Sequence, residues 1–221
     1  TARSGLDVTA GIGVSIKAGG LTVSAGVVTV TDGYIDVSDA QYNTRIGGNA
    51  GDSFDGTNAS HNTLIGYDAG TAITTGDSNT ALGQSALYTN TTASNNTAVG
   101  YYALLTNSTG ATNTAVGGEA LRYNTTASNN TAVGRWALIV NTTGANNTAV
   151  GANALDANTT ASNNVAIGYD ALSANSTGTG NVAVGMYALD ANTTVNYNTA
   201  IGYNALSANT TGTGGVAVGY N

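Results

Sequence analysis

The sequence predicts an all-β protein: a parallel β-solenoid, or β-roll, of 17-residue coils. Three observations predict it. First, Asn-Thr-Ala-Val-Gly and close variants return every 17 residues, with their glycines running from Gly66, Gly83 and Gly100 to Gly219 without an insertion. A period held this strictly belongs to a chain that stacks identical units along one axis. Second, only 8% of residues are charged while glycine reaches 31 of 221 and proline is absent, as suits an elongated, turn-rich β protein. Third, each period carries Asn, Gly and a Thr-Thr pair that remove helix propensity, and its apolar residues fall in two short clusters rather than an i, i+3, i+4 stripe.

Taken in order, residues 1–42 carry no 17-residue beat. Leu21, Val23, Ala25, Val28 and Val30 alternate between Gly19-Gly20, Gly26 and Asp32-Gly33, which reads as a fibrous β stalk or shaft. Residues 43–61 form a degenerate first coil and cap. Asn43-Thr44-Arg45-Ile46-Gly47 imitates the repeat, and a 19-residue step then leads to Gly66. A solenoid end needs such an irregular unit, because it otherwise offers unpaired strand edges. Residues 62–221 hold ten repeats, the last incomplete.

Numbered from the leading Asn, position 3 is Ala in nine of ten copies and position 4 is always Val, Ile or Leu. Positions 8 and 9 are Ala-Leu in eight copies, position 12 is Asn in the same eight, and position 14 is Thr throughout. Two short strands per coil are expected, over positions 2–5 and 8–11, joined by turns at the Gly and at Asn-Thr-Thr-Gly. Each strand would pair in parallel with its copies above and below. Asn at positions 1 and 12 would then form amide ladders. At ~4.8 Å between strands, ten coils make a rod roughly 45–50 Å long.

Composition narrows function. Net charge is −7 with five basic residues, so a surface tracking nucleic-acid phosphates is not expected. No apolar run reaches the ~18–20 residues needed to span a bilayer, so no membrane insertion is expected. Cysteine is absent, removing thiolate chemistry and Cys-ligated metals. Asp32, Asp36, Asp39, Asp52 and Asp55 do not match an EF-hand spacing, and His61 has no second His or nucleophile to join it. An enzyme, a metal and a cofactor are therefore not expected. Ten copies of one small apolar motif do not make the unique constellation that catalysis needs.

Alternation along a strand sends position 3 and position 4 to opposite faces. With Ala inside, the branched residues form an external stripe worth roughly 15–30 kcal/mol if buried by a partner. With Val and Leu inside, the chain is a self-sufficient monomer. Parity leaves both open.

Asn163–Gly168 (NNVAIG), Gly180–Gly185 (GNVAVG) and Gly214–Gly219 (GGVAVG) resemble the head repeats of trimeric autotransporter adhesins, built around Asn-Ser-Val-Ala-Ile-Gly. The array is also similar to repeats of predicted phage tail fibres. The likeness covers about 160 residues; the period is longer than the usual adhesin repeat, and Thr97, Thr114 and Thr131 replace its first Val. It implies a left-handed parallel β-roll and a homotrimer. Its interface would run along Val99, Val116, Val133, Val150, Ile167, Val184 and Ile201. It also implies an extracellular setting, on a virion tail fibre or a cell surface, and attachment to a host receptor.

Positions that vary between copies should face outward. Positions 6 and 7 read Tyr-Asp, Gln-Ser, Tyr-Tyr, Gly-Glu and Arg-Trp in the first five coils, and positions 10 and 11 include Tyr88, Arg122-Tyr123 and Ile139-Val140. Tyr, Trp and Arg carry most interface energy, so Tyr101, Tyr102, Arg122, Tyr123, Arg135 and Trp136 form the candidate ligand surface. Aromatic rings beside Asn and Asp suit a host glycan, with a protein receptor as the alternative. A purely structural spacer or filament subunit and an ice-binding solenoid are the competing functions. Twelve Asn-x-Ser/Thr sequons read as by-products of the repeat. Because Gly219-Tyr220-Asn221 halts at position 7, the chain is expected to be part of a longer fibre.

Overall fold

The computed structural model describes residues 39–54, 56 and 58–221. Nearly all of the expected stalk, with Asp32 and Asp36, lies outside the described residues, as does Asp55. From Thr44 onward the chain is a parallel β-solenoid. Eleven three-residue strands, β1 (Thr44–Ile46) and β2 (Thr63–Ile65) through to β11 (Val216–Val218), form one sheet in sequence order. Every pair is parallel and in register, Thr97 on Thr114, Ala98 on Ala115 and Val99 on Val116. The 19-residue step from β1 to β2 leaves that register intact, Thr44 pairing with Thr63.

The strand at positions 2–4 is the only strand in each coil among the described residues. The expected second strand over positions 8–11 is instead a turn, and the reason lies at position 9. Its leucines are left-handed, with φ from 49° to 55° for Leu87, Leu104, Leu121, Leu138, Leu155, Leu172, Leu189 and Leu206. A strand would send Ala and Leu to opposite faces. The left-handed residue turns both inward, so Ala120 and Leu121 are each fully buried. A left-handed backbone costs a non-glycine residue ~1–2 kcal/mol. Full burial of a leucine returns ~1.5–3 kcal/mol. Burial wins narrowly at each coil. Backbone hydrogen bonds still tie this segment to the next coil, Leu104 N–H donating to Ala120 O at 3.0 Å and Thr106 N–H to Arg122 O at 3.0 Å.

The core is therefore a column of Ala at position 3 and Ala-Leu at positions 8 and 9. Position 4 points away from it. Ile167 and Ile201 are 40% and 41% exposed, and Val99, Val116, Val133, Val150 and Val184 are half-buried. Of the two arrangements parity allowed, Ala lies inside and the branched stripe outside.

Two buried asparagine columns close the coil. At position 12, each amide donates to the one before it, Asn124 Nδ2 to Asn107 Oδ1 at 2.8 Å and Asn141 Nδ2 to Asn124 Oδ1 at 3.0 Å. Position 1 behaves differently. Each Oδ1 accepts the backbone N–H of the next Asn, as Asn113 Oδ1 does from Asn130 at 2.9 Å. Both columns converge on the position 15 carbonyl: Ala127 O accepts from Asn113 Nδ2 at 2.8 Å and from Asn124 Nδ2 at 3.0 Å. Buried amides of this kind stabilise only while their partners remain. Asn124→Ala is expected to cost ~1–3 kcal/mol. Thr126→Ala, at an exposed position, should stay within about 0.5 kcal/mol of wild type. Urea denaturation midpoints compare the two.

The corner at positions 15–17 alternates between coils. Ala93-Ser94, Ala127-Ser128 and Ala161-Ser162 interleave with Gly110-Ala111 and Gly144-Ala145. Each serine Oγ accepts the N–H of the preceding coil, Ala111 N–H to Ser128 and Ala145 N–H to Ser162, both at 3.0 Å. A Cβ on Gly110 or Gly144 would strike the position 15 carbonyl of the coil that follows. The structural unit at this corner is thus a pair of coils, 34 residues rather than 17.

Candidate functional site

Position 7 is left-handed in every complete coil, from Asp68 at 57° to Asn204 at 54°. The bend it makes leaves the side chains of positions 6 and 7 beside those of positions 10 and 11, because the chain doubles back over one short turn. These variable positions line one longitudinal face, and the middle coils concentrate its aromatic and cationic residues.

All six sequence-chosen residues lie on that face, and their contacts gather them into two groups. Tyr101 and Tyr102 stack with ring centroids 3.7 Å apart. The Arg122 guanidinium lies 5.0 Å from the Tyr102 centroid and 4.9 Å from that of Tyr123. Arg135 lies 3.7 Å from the centroid of Trp136. Cation–π pairs of this kind fix long side chains in place. Arg122 Nη1 also meets Glu119 Oε2 at 2.6 Å. That guanidinium is the main reason the Glu119 carboxyl sits below its ordinary range. Glu119, a position 7 residue, was not singled out in the sequence; it neutralises the central arginine.

One buried donor on this face, Arg122 Nε, lacks a partner, while Trp136 Nε1 lies by the Glu119 carboxylate and helps hold it below its ordinary range. The other unpartnered buried side-chain atoms among the described residues, Asn192 Oδ1 and Asn198 Nδ2, belong to the asparagine columns near their C-terminal ends.

Beside the ridge runs a cleft of ≈ 370 Å³, lined by Asp68, Ser85, Tyr88, Thr89, Tyr102, Leu105, Thr106 and Arg122. Its walls come from four successive coils. Tyr88 was visible in the sequence as a position 10 aromatic, but the emphasis on middle coils left it outside the candidate set.

Further along the same face the character changes to acidic. Asp156 and Asp190 at position 10 flank Asp170 at position 7, which accepts from Asn153 Nδ2 at 2.8 Å. Burial first, and then the charge of Asp170, pushes the Asp156 carboxyl up. Burial likewise raises Asp190. A raised folded value means that the folded state binds the proton more tightly. Stability is then lost as pH rises from the unfolded value to the folded one, and the full cost is carried at neutral pH. Asp156→Asn should therefore raise Tm at pH 7. The gain should vanish near pH ~3, below both values. Circular-dichroism melts at the two pH values check this.

Among the described residues no group of three or more His, Cys, Asp and Glu could hold a metal ion. His61, exposed, stacks on Tyr42 with centroids 5.4 Å apart. No helix of the described residues is long and apolar enough to cross a membrane. The sequons divide by burial. Their position 12 asparagines, such as Asn90, Asn124 and Asn158, are fully buried, whereas Asn95, Asn129 and Asn146 at position 17 are exposed.

No protein-family model, no curated protein and no solved structure matches this chain.

Proposed function

We propose that this chain is a structural and adhesive fibre protein. Its β-solenoid serves as a rigid rod, associates with two further copies through the position 2 and 4 stripe, and attaches to an extracellular surface receptor through the Tyr101–Trp136 face. The observation that carries this reading is the division of labour around the coil. Ala, Leu and Asn are spent on the interior, a branched apolar stripe faces out from the sheet, and every aromatic–cation pair of the repeat array sits on a different face. Exposed apolar stripes of this length mark association surfaces. Aromatic and arginine residues held rigid beforehand bind with little entropic loss. A cell-surface glycan is the favoured receptor, and a surface protein is the other.

Light scattering should give three times the 21.7 kDa chain mass. Fluorescently labelled chain should bind glycan arrays or intact cells, and Arg135→Ala with Trp136→Ala should abolish that binding. A trimer that binds no glycan and no cell surface would instead favour the spacer reading.

One observation favours a second reading, an ice-binding solenoid: the position 14 threonines are exposed in all nine copies, from Thr75 to Thr211. They form a single column, however. The position 13 hydroxyls beside them are engaged along the stack, Thr125 Oγ1 donating to Thr142 O at 3.1 Å and Thr142 Oγ1 to Thr159 O at 3.0 Å. Position 17 varies among Ser, Asn, Thr, Gly and Tyr. A flat two-column lattice is therefore missing, and nanolitre osmometry is expected to find no thermal hysteresis.

A further inference from the structure

The cleft beside the ridge has a lining and a direction that together specify a ligand class. It crosses four coils, from Asp68 through Tyr88 and Tyr102 to Arg122, so its long axis follows the stack. Its components repeat at the coil rise of ~4.8 Å, close to the advance of one pyranose ring in an extended chain. Tyr88 is 40% exposed and engages no other ring or cation among the described residues, which leaves its face open for stacking. Tyr102, in contrast, is occupied by Tyr101 and Arg122.

The polar groups are placed for hydroxyl partners. Thr89 Oγ1 donates to Leu105 O at 3.0 Å and Thr106 Oγ1 to Arg122 O at 2.9 Å. With those hydrogens committed, both oxygens are left as acceptors. Asp68, held by Asn49 Nδ2 at 2.9 Å, adds a carboxylate acceptor. The Arg122 guanidinium supplies donors at the cleft wall. The lining carries one negative and one positive side chain, and Glu119 already neutralises the positive one at 2.6 Å. With no uncompensated positive charge, the cleft offers an acidic sugar nothing that a neutral one lacks.

From this lining we infer that the cleft binds a neutral, extended oligosaccharide lying parallel to the fibre axis, one sugar ring per coil, with Tyr88 as its stacking platform. This rests on the attachment reading above and names the ligand class for one part of that face.

Isothermal titration with cellotetraose, chitotetraose and mannotetraose, and with tetragalacturonate as the acidic counterpart, tests the inference. At least one neutral tetraose should bind, and should bind at least about tenfold more tightly than its disaccharide. Tyr88→Ala should weaken that binding at least about tenfold, while Tyr203→Ala, several coils away, leaves it unchanged. Melting curves of both variants establish that the fold is kept. The inference is overturned if no neutral tetraose binds, if Tyr88→Ala binds as wild type does, or if tetragalacturonate binds more tightly than every neutral tetraose. Loss of array or cell binding in the Trp136→Ala chain reports separately on the attachment reading, because Trp136 does not line the cleft.

Discussion

Gly117→Ala is expected to break the solenoid where Gly118→Ala, one residue later, strengthens it. Gly117 occupies position 5 with φ at +133°, and a Cβ there would stand 2.6 Å from Gly134 O and 2.7 Å from Gly134 C. Two penalties combine. The backbone region is essentially reserved for glycine and costs another residue ~1–3 kcal/mol. The clash is with backbone of the next coil, which no rotamer change relieves, so β5 (Thr114–Val116) and β6 (Thr131–Val133) would have to separate at the residue after their register. A loss above ~4 kcal/mol is expected, in the range where single substitutions become exceptional. Gly118 has nothing within 4 Å of an added Cβ. Alanine there should stabilise by ~0.4–1 kcal/mol through the unfolded chain. Guanidinium unfolding of the two variants reads the contrast directly. Equal midpoints would mean that the coils do not stack with their glycines in contact.

That contrast also explains how much of the fold was legible in the sequence. The invariant glycine at every seventeenth residue was legible as a turn, and its φ of 131° to 141° from Gly66 to Gly219 agrees; the backbone of the next coil beside it was not legible. The spacing of the asparagines likewise predicted amide ladders at both positions; position 12 makes one, whereas position 1 mainly accepts backbone N–H groups of the next coil. Position 9 was not legible. Leu is a poor left-handed residue, and an Ala-Leu pair reads as strand until the narrow core is known to reward turning both side chains inward. The alternation of Ala-Ser with Gly-Ala at the corner was present in the sequence, in Ser94 and Ser128 against Ala111 and Ala145, but the 17-residue beat concealed the 34-residue one. Copy-to-copy variation located the outward face that carries the proposed ligand site, because fixed positions build the coil. Glu119 escaped notice because its pairing with Arg122, three residues on, depends on how the turn of its own coil folds. Tyr88, named among the variable aromatics, was passed over because its cleft is walled by four coils.

Val133→Asp together with Val150→Asp is expected to convert the proposed trimer to monomers without unfolding the coil. Both residues are position 4 side chains on adjacent strands, half-buried in the single chain and turned away from the Ala core. In a lone solenoid their replacement puts two carboxylates on paired, half-buried positions about one coil rise apart, a like-charge pair that costs ~1 kcal/mol where water reaches it, too little to unfold the coil. In a trimer closed on this stripe the same change sets six like charges near the axis. A like-charge pair ~5 Å apart is worth ~3 kcal/mol at an effective dielectric of ~20. Each lost valine contact adds ~1.5 kcal/mol or more. No interface of a few rungs absorbs that sum. Light scattering should therefore fall from three chain masses to one, while the far-ultraviolet spectrum is retained. A wild-type chain that is already monomeric would assign the stripe to solvent and leave the solenoid a self-sufficient rod. A variant that remains trimeric would move the interface to another face, and the aromatic ridge would then be the first place to look, because it gathers Tyr, Trp and Arg side chains of the kind that dominate interfaces.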